Sequence, residues 1–261
     1  MHMANHVPAV VTAFNIVEFL SKSEWKSSSM TQISEMLNLN KSTCFRVLKT
    51  LESLGYIKFD DLTKQYSLGY RFVVIGERAK QMNTYISAVS TILEKIAHPE
   101  ITFVIVKRTS DNFLAYVAKQ EPTLPIRLQF SGDMFPIPYG ALGKCFLSYL
   151  PKDEQVSILE KQQINGVLPQ YTTRTNTSLA QLQNELETIR STGFAESDME
   201  YIDTISSIAC PILDENGEII LGLGAYILSH YKPLIDTDSV KKLLKSTAEE
   251  ISEAIIGLEI Y

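Results

Sequence analysis

Met30 to Tyr56, MTQISEMLNLNKSTCFRVLKTLESLGY, reads as two short helices joined by a tight turn. Thr31 is placed to cap the first helix, and Ile33, Met36 and Leu37 give it an apolar stripe. Asn38-Leu39-Asn40 make the turn, and Asn40 is placed to cap the second helix. On that helix Cys44, Val47, Leu48, Leu51 and Leu54 recur at helical spacing and turn inward. Ser42, Phe45, Arg46 and Lys49 share the opposite face, with Lys41 and Thr43 beside them at its start. Gly55 stops the helix. A helix-turn-helix lays the N-terminal residues of such a second helix in the DNA major groove. An ordinary helical hairpin with a solvated face has the same period, and on these residues alone the two readings stand level.

The flanking residues separate them. Tyr56-Ile57-Lys58-Phe59-Asp60 alternates apolar and polar as a half-buried strand does. Asp60, Asp61 and Thr63 are turn formers, and Gln65-Tyr66-Ser67-Leu68 is a returning strand. A hairpin directly after the second helix is the wing of a winged helix. Lys58 and Lys64 on it are placed to meet phosphate, which positions a protein without reading sequence. Pro8 to Ser21 supplies the first helix of the unit, with Ala9, Ala13, Ile16, Val17 and Leu20 as its apolar stripe.

The chain has 261 residues, too many for a winged helix alone and enough for a second core. At 45% hydrophobic and 21% charged it has an ordinary globular composition. No apolar run is long enough for a membrane span, and the start, MHMANHVPAV, lacks the apolar centre of a signal peptide. Cys44, Cys145 and Cys210 are odd in number and far apart, which fits a reducing cytoplasm rather than a disulfide framework. No C-x-x-C occurs and His2, His6, His98 and His230 are scattered, so neither a metal site nor a cofactor is expected. The net charge is −6, but residues 1–70 hold seven Lys/Arg and six Asp/Glu, so the excess acid lies entirely beyond them. A domain at +1 has a weak electrostatic footprint on DNA, and dimerisation is expected to supply the missing contacts.

The expected organisation is α+β, with three parts. Residues 1–70 form a winged helix-turn-helix, 71–83 a linker helix and 84–261 an effector-binding α/β domain. Gly69 to Met82 carries Phe72, Val73, Ile75, Gly76 and Ala79 on one face, which suits a linker and a dimer contact or else a cap on the second core. Tyr85 to Ala97 continues helically. Strands are expected at Ile101 to Lys107, Phe113 to Ala118, Ile126 to Phe130, Ser206 to Leu213 and Ile219 to Leu228. Turns fall at Gly132-Asp133 and at Asp214-Glu215-Asn216-Gly217. Helices are expected at Gly140 to Tyr149, Lys152 to Lys161, Thr177 to Thr192 and Asp236 to Leu258.

Three blocks carry a family resemblance: LNLNKSTCFRVLKTLESLGYIKFD at 37–60, ALGKCFLSYLP at 141–151, and GFAESDMEYIDTISSIACPILDENGEIILGLG at 193–224. In order and spacing they resemble the isocitrate lyase regulator (IclR) family of bacterial transcription factors along nearly the whole chain. The first matches the family's recognition helix and wing, the second its Ala-x-Gly-Lys helix, the third its ligand-domain hairpin. The resemblance implies a C-terminal GAF-like effector domain, a homodimer or dimer of dimers, and pseudo-palindromic double-stranded operators. It implies a small effector, commonly an organic acid or an aromatic metabolite. Where the family usually has a His and a Thr before the Ala-x-Gly-Lys helix, Pro138 and Gly140 stand here, with Tyr139 between them. Ser207 stands where a Cys is frequent, and a Gly usual after the acidic stretch is replaced near Asp203.

For DNA, Lys41, Ser42 and Thr43 occupy the first helical turn, where backbone N–H groups and the helix dipole favour phosphate. Arg46 is the expected base reader, since a guanidinium can bond O6 and N7 of guanine together. Phe45 either touches thymine methyls or tucks against the wing, and Lys49 is expected on phosphate. For the effector, the start of the helix at Gly140, Ala141 and Leu142 offers backbone N–H groups. Phe130, Met134 and Tyr139 are its candidate apolar walls, and Tyr201 and Ser207 its hydroxyls. Asp198 and Glu200 either repel an acid at the mouth or pair with a basic ligand. Lys144 is expected to be solvated, and the glycines have a plain alternative in close packing of helix on sheet. No catalytic residue is expected. The alternative function is a winged-helix protein with a ligand-unresponsive or enzymatic C-terminal domain. There Cys145 or Cys210 with His230 is the one imaginable nucleophile and base, although both thiols fall in apolar segments where thiols are inert.

Overall fold

The computed structural model describes residues 6–110, 112–124, 135–164 and 166–258, and the chain divides into two compact units, Met1–Met82 and Asn83–Tyr261. The expected strand at Ile126 to Phe130 and the turn at Gly132-Asp133 lie outside the described residues.

Unit 1 contains α1 (Pro8–Ser21), β1 (Ser28–Ser29), α2 (Met30–Met36), α3 (Lys41–Ser53), β2 (Ile57–Asp60), β3 (Gln65–Leu68) and α4 (Arg71–Met82). The three strands form an antiparallel sheet in the order β1-β3-β2, which makes the wing. Ile16, Phe19, Leu20, Ile33, Cys44, Leu48, Leu51, Ile57 and Tyr66 form its core. Three local expectations are corrected. Thr31 does not cap α2. Ser29 does, in a reciprocal box in which Ser29 Oγ accepts from the Gln32 amide (3.3 Å) and Gln32 Oε1 accepts from the Ser29 amide (2.8 Å). That satisfies two otherwise free N–H groups and starts the helix earlier. Met36 is 56% exposed, because the inward place is taken by Ser34, whose hydroxyl donates to the Leu39 carbonyl (2.7 Å) and ties helix to turn. Leu54 is 51% exposed because α3 ends at Ser53 and the chain turns away at Gly55, where φ is +77°. Asn40 caps α3 as expected, its Oδ1 accepting from the Ser42 amide at 2.9 Å.

Unit 2 contains α5 (Thr84–Leu93), β4 (Ile101–Arg108), β5 (Phe113–Gln120), β6 (Phe135–Pro136), α6 (Gly140–Tyr149), α7 (Lys152–Gln162), α8 (Leu179–Thr192), β7 (Ala195–Asp198), β8 (Ile205–Leu213), β9 (Ile219–Leu228) and α9 (Thr237–Ile255). Its six strands form one antiparallel sheet in the order β6-β5-β4-β9-β8-β7. Phe103, Ile105, Ile208, Cys210 and Leu223 pack with α5 and α9 on one face. Val104, Val106, Ala209 and Tyr226 pack with α6, α7 and α8 on the other. Burial on both faces explains why β4 reads as an unbroken apolar run rather than an alternation. The edge strand β7, AESD, was not foreseen, because three of its four residues are polar and it carries no alternation of apolar residues.

Helix α6 lies directly against the sheet. A Cβ on Gly224 would stand 2.8 Å from Leu142 Cδ1, one on Gly222 2.7 Å from Phe146 Cε2, and one on Gly143 2.9 Å from the Pro138 carbonyl carbon. The first two obstacles are movable side chains; the third is backbone. Gly143→Ala should therefore lower the stability of unit 2 by about 1–3 kcal/mol through overpacking. Urea unfolding followed by circular dichroism checks this, and an unchanged midpoint would mean that α6 is free to lift from Pro138.

Candidate functional site

In unit 1, α3 presents Lys41, Ser42, Thr43, Phe45, Arg46 and Lys49 to solvent, and β2 presents Lys58. The N-terminal turn is partly committed, since Asn40 Oδ1 accepts both the Ser42 amide and its hydroxyl (2.8 Å). Phe45 is 48% exposed, so it is not tucked against the wing. Phe59 of β2 takes that place, with Lys49 Nζ 5.4 Å and Lys64 Nζ 5.7 Å from its ring centroid. Lys49 also binds Glu52 at 2.9 Å, and that bond raises its pKa. Lys64 lies 3.5 Å from Asp61 in a turn where its own φ is +56°. The turn is pinned by Asp60 Oδ1, which accepts from the Leu62 and Thr63 amides and is held below the usual carboxylate range by them. Among the described residues, Arg46, Lys41 and Lys58 have no carboxylate partner.

In unit 2, Tyr139 is the N-cap of α6, makes no side-chain cap bond and is 6% exposed. Its ring meets Tyr171 (4.5 Å between centroids, edge-on) and Tyr201 (6.1 Å, stacked), and Tyr171 meets Tyr201 at 4.8 Å. Its hydroxyl oxygen is buried without a hydrogen-bond partner among the described residues. Gly140 has φ +67°, a left-handed conformation that glycine adopts without strain. Tyr139, Gly140, Lys144 and Glu200 line one small cavity with Pro138, Leu168 and Thr175.

Other expected site residues lie elsewhere or in other roles. Leu142 is 1% exposed and fills the space over Gly222 and Gly224, so it serves the core. Ala141 is likewise buried. Ser207 is buried opposite Tyr226 in the β8–β9 pair and does not line the Tyr139 cavity. Phe130 and Met134 lie outside the described residues. Lys144 is not solvated. It is 2% exposed and binds Glu185 of α8 at 2.5 Å and Glu200 at 2.8 Å, since an ammonium buried on the packed face of α6 is costly without carboxylate partners. Asp198 is equally committed: it accepts from Ser206 (2.7 Å) and Lys232 (2.7 Å) and pairs with Arg174.

Sequence reading missed Tyr171, Thr172 and Thr175. Thr172 Oγ1 donates to the Met199 carbonyl (2.7 Å) and Thr175 Oγ1 to that of Glu200 (2.6 Å), so this loop clasps the one that carries Tyr201. Threonines in a polar loop give no periodic signal that could have marked them. The imagined nucleophiles are buried, with the Cys210 thiol pushed up to about 12 and that of Cys145 well above its ordinary value, both by burial. His230 lies against Tyr231 with the rings tilted, beyond the end of β9. Among the described residues no group of three His, Cys, Asp or Glu is placed to hold a metal, and no helix is long and apolar enough to cross a membrane.

Residues 9–61 match the family model of the IclR helix-turn-helix domain, and residues 80–253 match that of the bacterial transcriptional regulator IclR C-terminal domain. The chain is 28% identical over 247 residues to an uncharacterized HTH-type transcriptional regulator of Haemophilus influenzae, covering 94% of this chain and 91% of that one. It is 27% identical over 218 residues to the HTH-type transcriptional regulator KdgR of Escherichia coli, covering 83% and 81%. Among solved structures, an IclR transcriptional regulator from Alicyclobacillus acidocaldarius superimposes with a TM-score of 0.85 at 30% identity, covering 96% of this chain and 99% of the other.

The Asp198 carboxyl is held low, first by the Lys232 hydrogen bond and then by Ser206. A lowered folded pKa adds stability that is complete above about pH 4 and is lost as pH falls through the folded value. Asp198→Asn should therefore flatten the drop in the melting temperature of unit 2 between pH 5 and pH 3. A variant with the native slope would show that these contacts are too solvated to matter.

Proposed function

Because the chain belongs to the IclR family of bacterial transcriptional regulators, we propose that α3 is the DNA-reading helix and that the N-terminus of α6 is the effector site. The observation that carries the first part is Arg46, which stands on the exposed face of α3 with no carboxylate partner among the described residues. It reads bases, bidentate on guanine, with Phe45 beside it for thymine methyls. Lys41, Ser42, Thr43 and Lys58 meet phosphate. Lys49 and Lys64 join them by exchanging Glu52 and Asp61 for phosphate, an inexpensive exchange because both pairs are solvent-exposed.

Two copies act together on a pseudo-palindromic double-stranded operator, as a homodimer or a dimer of dimers. What supports this is the apolar face that unit 1 leaves open. No residue of α4 is buried, yet Phe72, Ile75, Ala79 and Met82 recur at heptad spacing. A second copy covering that face sets the spacing between two α3 helices, and the effector alters that spacing through α4 and α5. Coupling of this kind is typically about 1–3 kcal/mol. The effector is a small organic acid or aromatic metabolite, held at Gly140 and Tyr139 and walled by Tyr201. No metal or cofactor takes part, and the protein works in the cytoplasm.

Sequencing sheared host DNA captured by the purified protein should return one inverted repeat. Arg46→Ala should lose about 1–3 kcal/mol of discrimination at one base of each half-site; an unaltered preference would remove Arg46 as the reader. In sedimentation, Ile75→Asp should shift the protein toward monomer and weaken operator binding, and a variant still dimeric would move the interface away from α4.

A further inference from the structure

We infer that the cavity at the N-terminus of α6 receives an uncharged hydroxyl head group and rejects a carboxylate, because Glu185 and Glu200 together occupy the whole Lys144 ammonium. This rests on the effector reading of the site given above and narrows its ligand class.

Lys144 Nζ lies 2.5 Å from Glu185 Oε1 and 3.0 and 2.8 Å from Glu200 Oε1 and Oε2. An ammonium has three protons to donate, and three acceptor oxygens surround this one. The lysine and its two glutamates carry one net negative charge at the cavity. Arg174 and Lys232, the cations of the adjoining loop and turn, share the single carboxylate of Asp198 and leave that cluster one net positive charge, but neither lines the cavity. An incoming carboxylate would give up its hydration, find no uncommitted cation among the described lining residues and face the surplus glutamate.

Tyr139 is 6% exposed and its Oη has no hydrogen-bond partner among the described residues. Burial pushes the phenol well above its ordinary pKa, with Tyr171 and Tyr201 adding to the shift, so the hydroxyl stays protonated and can both donate and accept. A buried hydroxyl without a partner is destabilising, and a ligand that supplies one relieves it. The cavity that Tyr139 and Gly140 line has a volume of about 10 Å³, room for roughly one water-sized group rather than two carboxylate oxygens. Tyr171, 43% exposed, offers a ring face beside it for the body of an aromatic ligand. An aromatic alcohol or phenol satisfies all three conditions.

The test is isothermal titration of the full chain with phenol and with benzoate as probes. Phenol should bind at least tenfold more tightly than benzoate. Tyr139→Phe should weaken phenol about tenfold and leave benzoate as it was. Glu200→Gln, which frees a Lys144 proton while Glu185 still pairs the lysine, should admit benzoate and close most of the gap, with its melting curve reporting that the fold is kept. Benzoate binding as tightly as phenol to the native protein would overturn the inference. So would a Glu200→Gln variant with an unchanged ratio. Binding of neither probe would also overturn it, leaving an ordered water as the partner of Tyr139. Operator capture by unit 1 is read out separately, so failure here is distinguishable from failure of the DNA-binding reading.

Discussion

Helix α6 packs on the sheet where β9 carries glycines, and the second unit is organised around that contact. Gly222 and Gly224 on β9 leave the hollow that Leu142 and Phe146 fill, and Gly143 lets the first turn lie against the Pro138 backbone. With every residue from Ala141 to Ser148 buried, a lysine at position 144 has no route to solvent. Its charge is tolerable inside only because Glu185 and Glu200 meet it, and these come from α8 and from the loop after β7. One close approach of helix to sheet thus dictates where a buried ion triad must be.

The triad in turn holds the surroundings of the candidate site. Glu200 is fixed at its side chain by Lys144 and at its carbonyl by Thr175, while Thr172 holds the carbonyl of Met199. Tyr201 follows directly, and its ring faces those of Tyr139 and Tyr171. Asp198 anchors the other end of the same loop to Ser206, Lys232 and Arg174. Charged groups here do structural work on the loops and cancel one another, which leaves hydroxyls, ring faces and backbone N–H groups as the chemistry facing a ligand.

Unit 1 shows the opposite arrangement. Its caps and core are complete within some seventy residues, and the groups that could meet DNA are left outward and lightly held. Lys49 and Lys64 rest on exposed carboxylates and on the Phe59 ring, contacts that phosphate can replace, and Arg46 rests on none. The same unit keeps an apolar face on α4 of which, among the described residues, only Phe72 has a ring contact, to Tyr56.

Local and periodic features were legible in the residues: α3 with its Asn40 cap, the wing hairpin, the span of α6, the β8–β9 hairpin at Asp214 to Gly217. Each is decided by neighbours a few positions apart, through capping, alternation and turn chemistry, so a linear reading reaches them. Even there the cap of α2 was misplaced by two residues, because Ser29 and Thr31 have the same chemistry and only the reciprocal bond with Gln32 distinguishes them. The sequence by itself determined the kind of protein and the exposed face of α3. The tertiary structure alone decided that Lys144 is buried, that Leu142 belongs to the core, that Asp198 is saturated, and that Tyr171 joins Tyr139 and Tyr201. Those outcomes depend on groups from about 30 to about 80 positions apart packing together, and no local pattern encodes which distant carboxylate or ring will be there.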